Sequence, residues 1–347
     1  MTWIEPKYSK KAVSRAGDNL INLNSSEKEC LEALDIVSNW RSSYTFPLNN
    51  ITSLLRFKVK TVEKNAIITQ RLKRIPSILR KLKRYHEMRL HRMQDIGGCR
   101  VVLSDIKKVN TLKHLLLNSR TKNELAKEND YIENPKDSGY RGIHLIYKYK
   151  GKKDEIYNGH TIEIQVRTKI QHSWATAVEV AGTFLKQPLK SGEGSENWLH
   201  FFKLVSLLFA FLENCLPKNI TNQRLKEIKH EVNLLATELE VFKKLQAFSV
   251  STNLINDAVS RDYSGYFLIL LNIDEQNVQI WSYKEKYLSK ATEDYINFEK
   301  KYKDTKEVDI VLVNAKSIKT LKKAYPNYFA DSKEFLDKLN EVLAKEI

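Results

Sequence analysis

The sequence predicts a mixed α/β fold of the α+β kind: helices packed on one mixed sheet, with a second, smaller α/β unit at the C-terminus. Three observations carry this. Between residues 99 and 190, short β-branched runs bounded by turn residues alternate with helical patterns. Two helical patterns without strand texture follow, over 197–215 and 221–247. Strand-like runs then return with a different charge balance. The 347-residue chain carries a formal +16, yet residues 251–347 hold 15 Lys/Arg against 16 Asp/Glu, a net of −1. The organisation expected is a first unit over 1–190, a helical connector over 191–250 and a small unit over 251–347.

In chain order, residues 8–42 predict two helices, and "NSSEKECLEALDIVSNW" opens the second with a serine cap and a following Glu. "RFKVKTVEKNAIITQRLKRI" runs from helix into strand. "IPSILRKLKRYHEMRLHR" predicts a basic helix from Pro76, a residue favoured in a first turn. "CRVVLS" (99–104), "GIHLIYKYK" (142–150) and "TIEIQVRT" (161–168) are strands, and "IKKVNTLKHLLLN" is a helix between the first two. "KIQHSWATAVEVAGTFL" closes the unit as a helix, and "SGEGSE" (191–196) makes a flexible joint. The tail predicts strands "GYFLILLNID", "VQIWSYK" and "VDIVLVNA", a helix over 287–303 and two final helices.

Bulk properties exclude several classes. With 42% hydrophobic and 29% charged residues the chain is globular rather than disordered. The start has no apolar signal core, and the greasiest stretch, "WLHFFKLVSLLFAFLENC", contains His200 and Lys203, so a buried helix is expected rather than a membrane span. Cys30, Cys99 and Cys215 are too few for a disulfide framework, and the compartment expected is the cytosol. Residues 56–92 hold thirteen Lys/Arg and two Glu, a net of +11. Such a field recruits polyphosphates or nucleic acid, although a solvated basic helix face carries the same composition.

Chemistry concentrates at a few places. Asp95 stands beside Gly97 and Gly98 at a strand entry, and alternation puts Glu163, Gln165 and Arg167 on one face of another strand. Two carboxylates on neighbouring strands suit Mg²⁺-dependent phosphoryl or pyrophosphoryl transfer; a turn cap and an Arg-paired Glu would also satisfy the pattern. Arg71, Lys73, Lys81 and Arg100 are the nearby cations, with Ser77 one helical turn before Lys81. No P-loop and no G-x-G-x-x-G is present, so a triphosphate would rest on side-chain cations. In "NPKDSGYRGIH", Tyr140 lies between two glycines on what the composition suggests is a mobile loop with little core to bury into.

The order "RLKRIPSILRK", "QDIGGCRVV", "YIENPKDSGYRGIH", "IEIQVRT..QHSWA" is similar to the synthetase domain of RelA/SpoT homologues, over roughly residues 50–185. That family moves the β,γ-pyrophosphate of ATP to the 3′-hydroxyl of GDP or GTP. The resemblance implies Arg71 and Arg100 on either side of the ATP adenine, and Lys73, Ser77 and Lys81 on the triphosphate. It puts Asp95 and Glu163 on Mg²⁺, with Glu163 also activating the acceptor hydroxyl. Tyr140 would stack the acceptor base, with Lys136, His144, Gln165 and Arg167 in support. One departure is Val180, which stands in "WATAVEV" where the family has a histidine.

The opening "EPKYSKKAVSRAG" and the tail look like the fused toxin–antitoxin, CapRel-type branch. The resemblance there implies pyrophosphorylation of the tRNA 3′-CCA end, blocking translation, and restraint by a C-terminal pseudo-zinc-finger without metal ligands. It also implies a phage capsid protein as trigger. Tyr325 and Tyr328 in "KKAYPNYFADS" match that branch's Y-x-x-Y motif, implying autoinhibition through the adenine site; packing of the tail's own core is the competing reading. A tRNA acceptor accounts for the basic stretch better than a nucleotide does. A (p)ppGpp synthetase with a regulatory tail, and a catalytically dead nucleotide- or RNA-binding module, remain the alternatives.

Overall fold

The structure, a computed structural model, describes residues 3–346 apart from 153, 252, 257–264, 273, 274, 276, 303, 304, 306, 307, 316, 318, 319, 323, 324 and 326–331; at 191, 247–251 and 253–256 it describes the backbone alone. Among the described residues, nine strands form one mixed sheet. The N-terminal part supplies β1 (Ile67–Leu72), β2 (Gly97–Leu103), β3 (Glu124–Asp130), β4 (Ile143–Lys148) and β5 (Thr161–Thr168). The tail supplies β6 (Asn253–Asn256), β7 (Gly265–Asn272), β8 (Asn277–Lys284) and β9 (Val308–Ala315). The order across the sheet is β3-β4-β5-β2-β1-β9-β7-β8-β6. β2 runs parallel to β5 and β6 parallel to β8; the other pairs are antiparallel.

Helices α1 (Lys10–Ile21), α2 (Glu27–Ser43), α3 (Thr45–Val62), α4 (Ile75–Arg84) and α5 (Ile106–Leu117) belong to the first part. Local chemistry starts several of them: Ser26 and Glu29 form a complete capping box on α2, and Asp105 accepts from the Lys108 amide at the head of α5. On one sheet face, Val101, Leu103, Leu145, Ile162, Ile164 and Val166 pack with Leu55 and Val59 of α3 and with Val109 and Leu112 of α5. A second core joins α6 (Lys169–Phe184), α7 (Glu196–Leu212), α8 (Asn222–Glu238) and α9 (Val241–Ser251) to the final helix α11 (Lys333–Ala344). The tail helix α10 (Leu288–Lys301) covers one face of β7 and β9 with Tyr295.

Several elements differ from the sequence-based expectation. The basic helix stops at Arg84 instead of running to Arg92, because a short 3-10 turn over Leu90–Arg92 sends Leu90, at its start, and Met93, at its end, inward at 1% exposure each. The charged helix over 221–247 is two helices, α8 and α9. Glu240 adopts φ +52 between Leu239 and Val241, both buried. Strand β3 was not expected: it is an edge strand, mostly exposed, with no hydrophobic alternation to reveal it. The charge change near 250 does not interrupt the sheet, since β9 pairs with β1 through Gln70–Asn314 and Arg71–Val313, and α11 lies in the core of α6 and α7.

Candidate active site

Strand β5 builds the floor of a cleft of about 420 Å³. Its alternation sends Ile162, Ile164 and Val166 into the core and leaves Glu163, Gln165 and Arg167 on the cleft side. Thr168 ends the strand and caps α6 in a capping box with Gln171, so the chain turns at once from floor to wall. That wall brings Trp174 and Glu179 to the cleft. β2, parallel to β5, sets Gly98 opposite Glu163 in register, and a side chain at Gly98 would lie 4.0 Å from Glu163 Oε2.

Five side chains close a ring of hydrogen bonds. His144 Nδ1 lies 2.9 Å from Glu163 Oε1, and His144 Nε2 lies 2.6 Å from the Tyr140 hydroxyl. That hydroxyl accepts from Arg167 Nε at 3.0 Å; Arg167 also donates to Gln165 Oε1 at 3.0 Å, and Gln165 donates to Glu163 Oε2 at 2.6 Å. With Tyr140 donating to His144 and His144 to Glu163, two arms leave Arg167, one through Tyr140 and His144 and one through Gln165, and converge on Glu163. Burial raises the Tyr140 pKa and keeps the phenol protonated, as that role requires. Burial opposes charge on Glu163, but the hydrogen bonds from His144 and Gln165 outweigh it and pull its pKa down to about 2.

Asp95 faces the cations. Its two oxygens take Lys73 Nζ at 2.8 Å and Lys81 Nζ at 2.9 Å. Burial and Glu163 push its pKa up, yet the two lysines prevail and hold it below the ordinary value. Arg100 is lowered to about 10 by burial and by the neighbouring guanidiniums of Arg167 and Arg71, and it stays charged at neutral pH. Lys136 lies over Tyr131 at 4.6 Å and over Tyr140 at 5.3 Å. The cleft thus gathers Arg71, Lys73, Lys81, Asp95, Arg100, Lys136, Tyr140, His144, Glu163, Gln165 and Arg167, while Ser77, in the first turn of α4, is not among its lining residues.

The Tyr140 loop is anchored, contrary to the expectation of a mobile loop with little core. Ser206 of α7 donates to the Gly139 carbonyl at 2.5 Å, and Tyr140 packs at 6.5 Å from Trp174 and 5.7 Å from Tyr131. Both glycines are required. At φ +87, Gly139 meets α7 so closely that a Cβ would lie 3.0 Å from Lys203 Cα; at φ +147, Gly142 would set one 3.2 Å from the Tyr140 hydroxyl.

Tyr325 of the tail also lines the cleft. It is 2% exposed, with its ring 5.8 Å from the Arg71 guanidinium and 5.9 Å from that of Arg100. It packs at the same time with Phe267, Val311 and Val313, so the core-packing reading of this residue holds together with its place in the cleft. Tyr328 lies outside the described residues. Glu179 was missed as a site residue. It pairs with Lys190 at 2.9 Å, and Lys190 and Arg71 hold its pKa well down against burial. The only sequence signal was its place one turn beyond Trp174 and Ala175 in "WATAVEV".

Residues 70–184 match the region found in RelA/SpoT proteins. The matched segment contains every site residue named above except Tyr325 and Lys190. The chain is 34% identical over 113 residues to the GTP pyrophosphokinase YjbM of Bacillus subtilis, covering 31% of this chain and 52% of the relative. It therefore spans about half of that relative's length. A second B. subtilis GTP pyrophosphokinase, YwaC, is 28% identical over 158 residues, covering 41% of this chain and 73% of the relative. Among solved structures, the small alarmone synthetase 1 of B. subtilis bound to its product pppGpp aligns at a TM-score of 0.41 and 24% identity, over 55% of this chain and 96% of that one. Among the described residues, no helix is long and apolar enough to cross a membrane.

Proposed function

We propose that the chain transfers the β,γ-pyrophosphate of ATP to a 3′-hydroxyl, and that the acceptor is the 3′-CCA end of tRNA. The observation that carries this is the pair of hydrogen-bonded arms converging on an ionised Glu163, in a cleft where a second carboxylate, Asp95, is held by two lysines. On this reading the triphosphate draws Lys73 and Lys81 from Asp95, with Arg71 and Arg100 about the adenine. The acceptor base stacks on Tyr140, and the 3′-hydroxyl donates to Glu163. The 3′-oxygen forms a bond to the β-phosphorus, the bond from that phosphorus to the oxygen of AMP breaks, and the hydroxyl proton passes to Glu163. With its pKa near 2, Glu163 first orients the hydroxyl as an acceptor and takes the proton as attack acidifies it.

Magnesium fits the donor set: Asp95 and Glu163 are both kept ionised, Gly98 leaves the approach to Glu163 open, and the ion prefers few carboxylates plus phosphate oxygens. When bound it would neutralise charge on the transferring phosphates. The tRNA acceptor is supported by α4, which carries exposed Arg80 and Lys83 beside the cleft's Lys81 and offers more phosphate contacts than a mononucleotide needs. Restraint of the enzyme by its own tail is supported by Tyr325, whose ring lies 5.8 Å from the Arg71 guanidinium and 5.9 Å from that of Arg100, the two residues expected about the adenine. Resemblance to the fused toxin–antitoxin branch adds a cytoplasmic phage-defence toxin, with a phage capsid protein as trigger. The second reading, transfer to GDP or GTP, is favoured by the names of the relatives.

One assay tests both. The protein is incubated with γ-labelled ATP, Mg²⁺ and either bulk tRNA, GDP or GTP. Label on tRNA, reduced about 10²–10⁴-fold in Glu163→Gln, is the expected result. Label on GDP or GTP alone overturns the tRNA acceptor, and unchanged transfer in Glu163→Gln overturns the mechanism.

A further inference from the structure

A second cleft, of about 820 Å³, lies on the opposite face of the sheet, between α3 and the loop joining α5 to β3. Ile164 faces it, whereas Glu163 and Gln165 face the candidate active site. Its floor is buried and partly aromatic, with Tyr147 at 6% and Tyr149 at 3% exposure. The rim has a different character. Phe57 stands on α3 at 76% exposure and Leu54 at 50%, both beside the opening. Lys58, Arg120, Lys122 and Lys152 line the cleft, and none of the lining residues is acidic. A fifth cation, Lys150, is held by Glu124 at 3.0 Å; the other four form no ion pair among the described residues.

Solubility alone accounts poorly for this arrangement. Surface lysines suit any exposed face, but an aromatic ring left in water next to four unneutralised cations over a tyrosine floor combines the two halves of nucleotide recognition. A base stacks on the ring, and phosphates satisfy the charge. The volume falls within the range of small-molecule sites, about 300–1,000 Å³. One exposed aromatic face, in place of a row of them, suits a single base better than a strand of RNA. We infer that this cleft is a second nucleotide site, taking a nucleoside triphosphate with its base on Phe57 and its phosphates among Lys58, Arg120, Lys122 and Lys152. The inference is independent of the proposed transfer reaction, since no lining residue is shared with the candidate active site.

The test is photo-crosslinking of the full chain with 8-azido-ATP and 8-azido-GTP, followed by peptide mapping. Label is expected on peptides carrying Phe57 or Tyr149, separate from label in the candidate active site. Charge reversal at two exposed positions, Arg120→Glu with Lys122→Glu, should lower the groove label by at least about tenfold and leave the other label unchanged. Phe57→Ala, also exposed, should lower it about tenfold through lost stacking. Circular dichroism and melting establish that both variants fold. Absence of groove label at millimolar probe, or label insensitive to both variants, overturns the inference. Capture of a twelve-nucleotide single-stranded RNA there, without either mononucleotide, overturns it in favour of an RNA groove.

Discussion

The two halves of the sheet follow different rules. In β5 each buried residue from Ile162 to Val166 alternates with a polar one turned to the cleft. In β7 every residue from Gly265 to Leu271 is buried, because α10 covers one face and Leu321 and Tyr325 pack on the other. A strand with one polar face is built to hold something that comes and goes; a strand buried on both faces is built to stay. The join between them is thin. β7 and β9 pair along their whole length, whereas β9 reaches β1 at Gln70 and Arg71. Beside this seam Arg74 pairs with Asp309, and Arg41 lies 4.2 Å over the Tyr295 ring while donating to the Lys73 carbonyl at 2.7 Å. The tail therefore grips the turn that carries Lys73 to the cleft.

The largest effect is expected from loosening that grip. Asp309→Ala should raise pyrophosphate transfer about tenfold, if the closed state is the main one, and lower the melting temperature by a few degrees. Tyr325→Ala should raise transfer further at a greater loss of stability, about 3–5 kcal/mol for a buried aromatic. Activity that falls together with the melting temperature in both variants would make the tail a support and not a restraint.

Acid should separate the halves in opposite directions. Glu163 is depressed from 4.5 to about 2, so its contribution is complete above pH 4.5 and fades as pH falls toward 2. Glu299, which accepts from Tyr295, is raised by burial despite Arg41, so its contribution is complete below pH 4.5 and is lost as pH rises through its folded value. Hydrogen exchange corrected for intrinsic rate should show β5 losing protection between pH 4.5 and 2 while α10 does not; equal loss in both would contradict the comparison. The smallest effect is expected inside the ring. Tyr140→Phe keeps the stacking face but removes the link between His144 and Arg167, so kcat should fall about threefold with KM for the acceptor near wild type.

Much of the cleft was legible because its residues sit where local rules are strong. Strand alternation turned Glu163, Gln165 and Arg167 the same way, and the short run from Asp95 to Arg100 needed no long-range knowledge to be read. The anchoring of Tyr140 was hidden, since it depends on α7, some sixty residues further on, meeting a glycine backbone. Strand β3 was hidden because an exposed edge needs no hydrophobic pattern. The joining of the tail to β1 was hidden because neither strand announces its neighbour, and a change in charge marks a change of surface and says nothing of which edges pair.

The two lysines on Asp95 make the cleft an ion exchanger. A phosphate that enters trades one anion for another at Lys73 and Lys81, with no need to strip condensed salt from bare charges. Nucleotide binding there should respond to added salt less steeply than the number of cations suggests, while the exposed Arg80 and Lys83 of the same helix keep the full response.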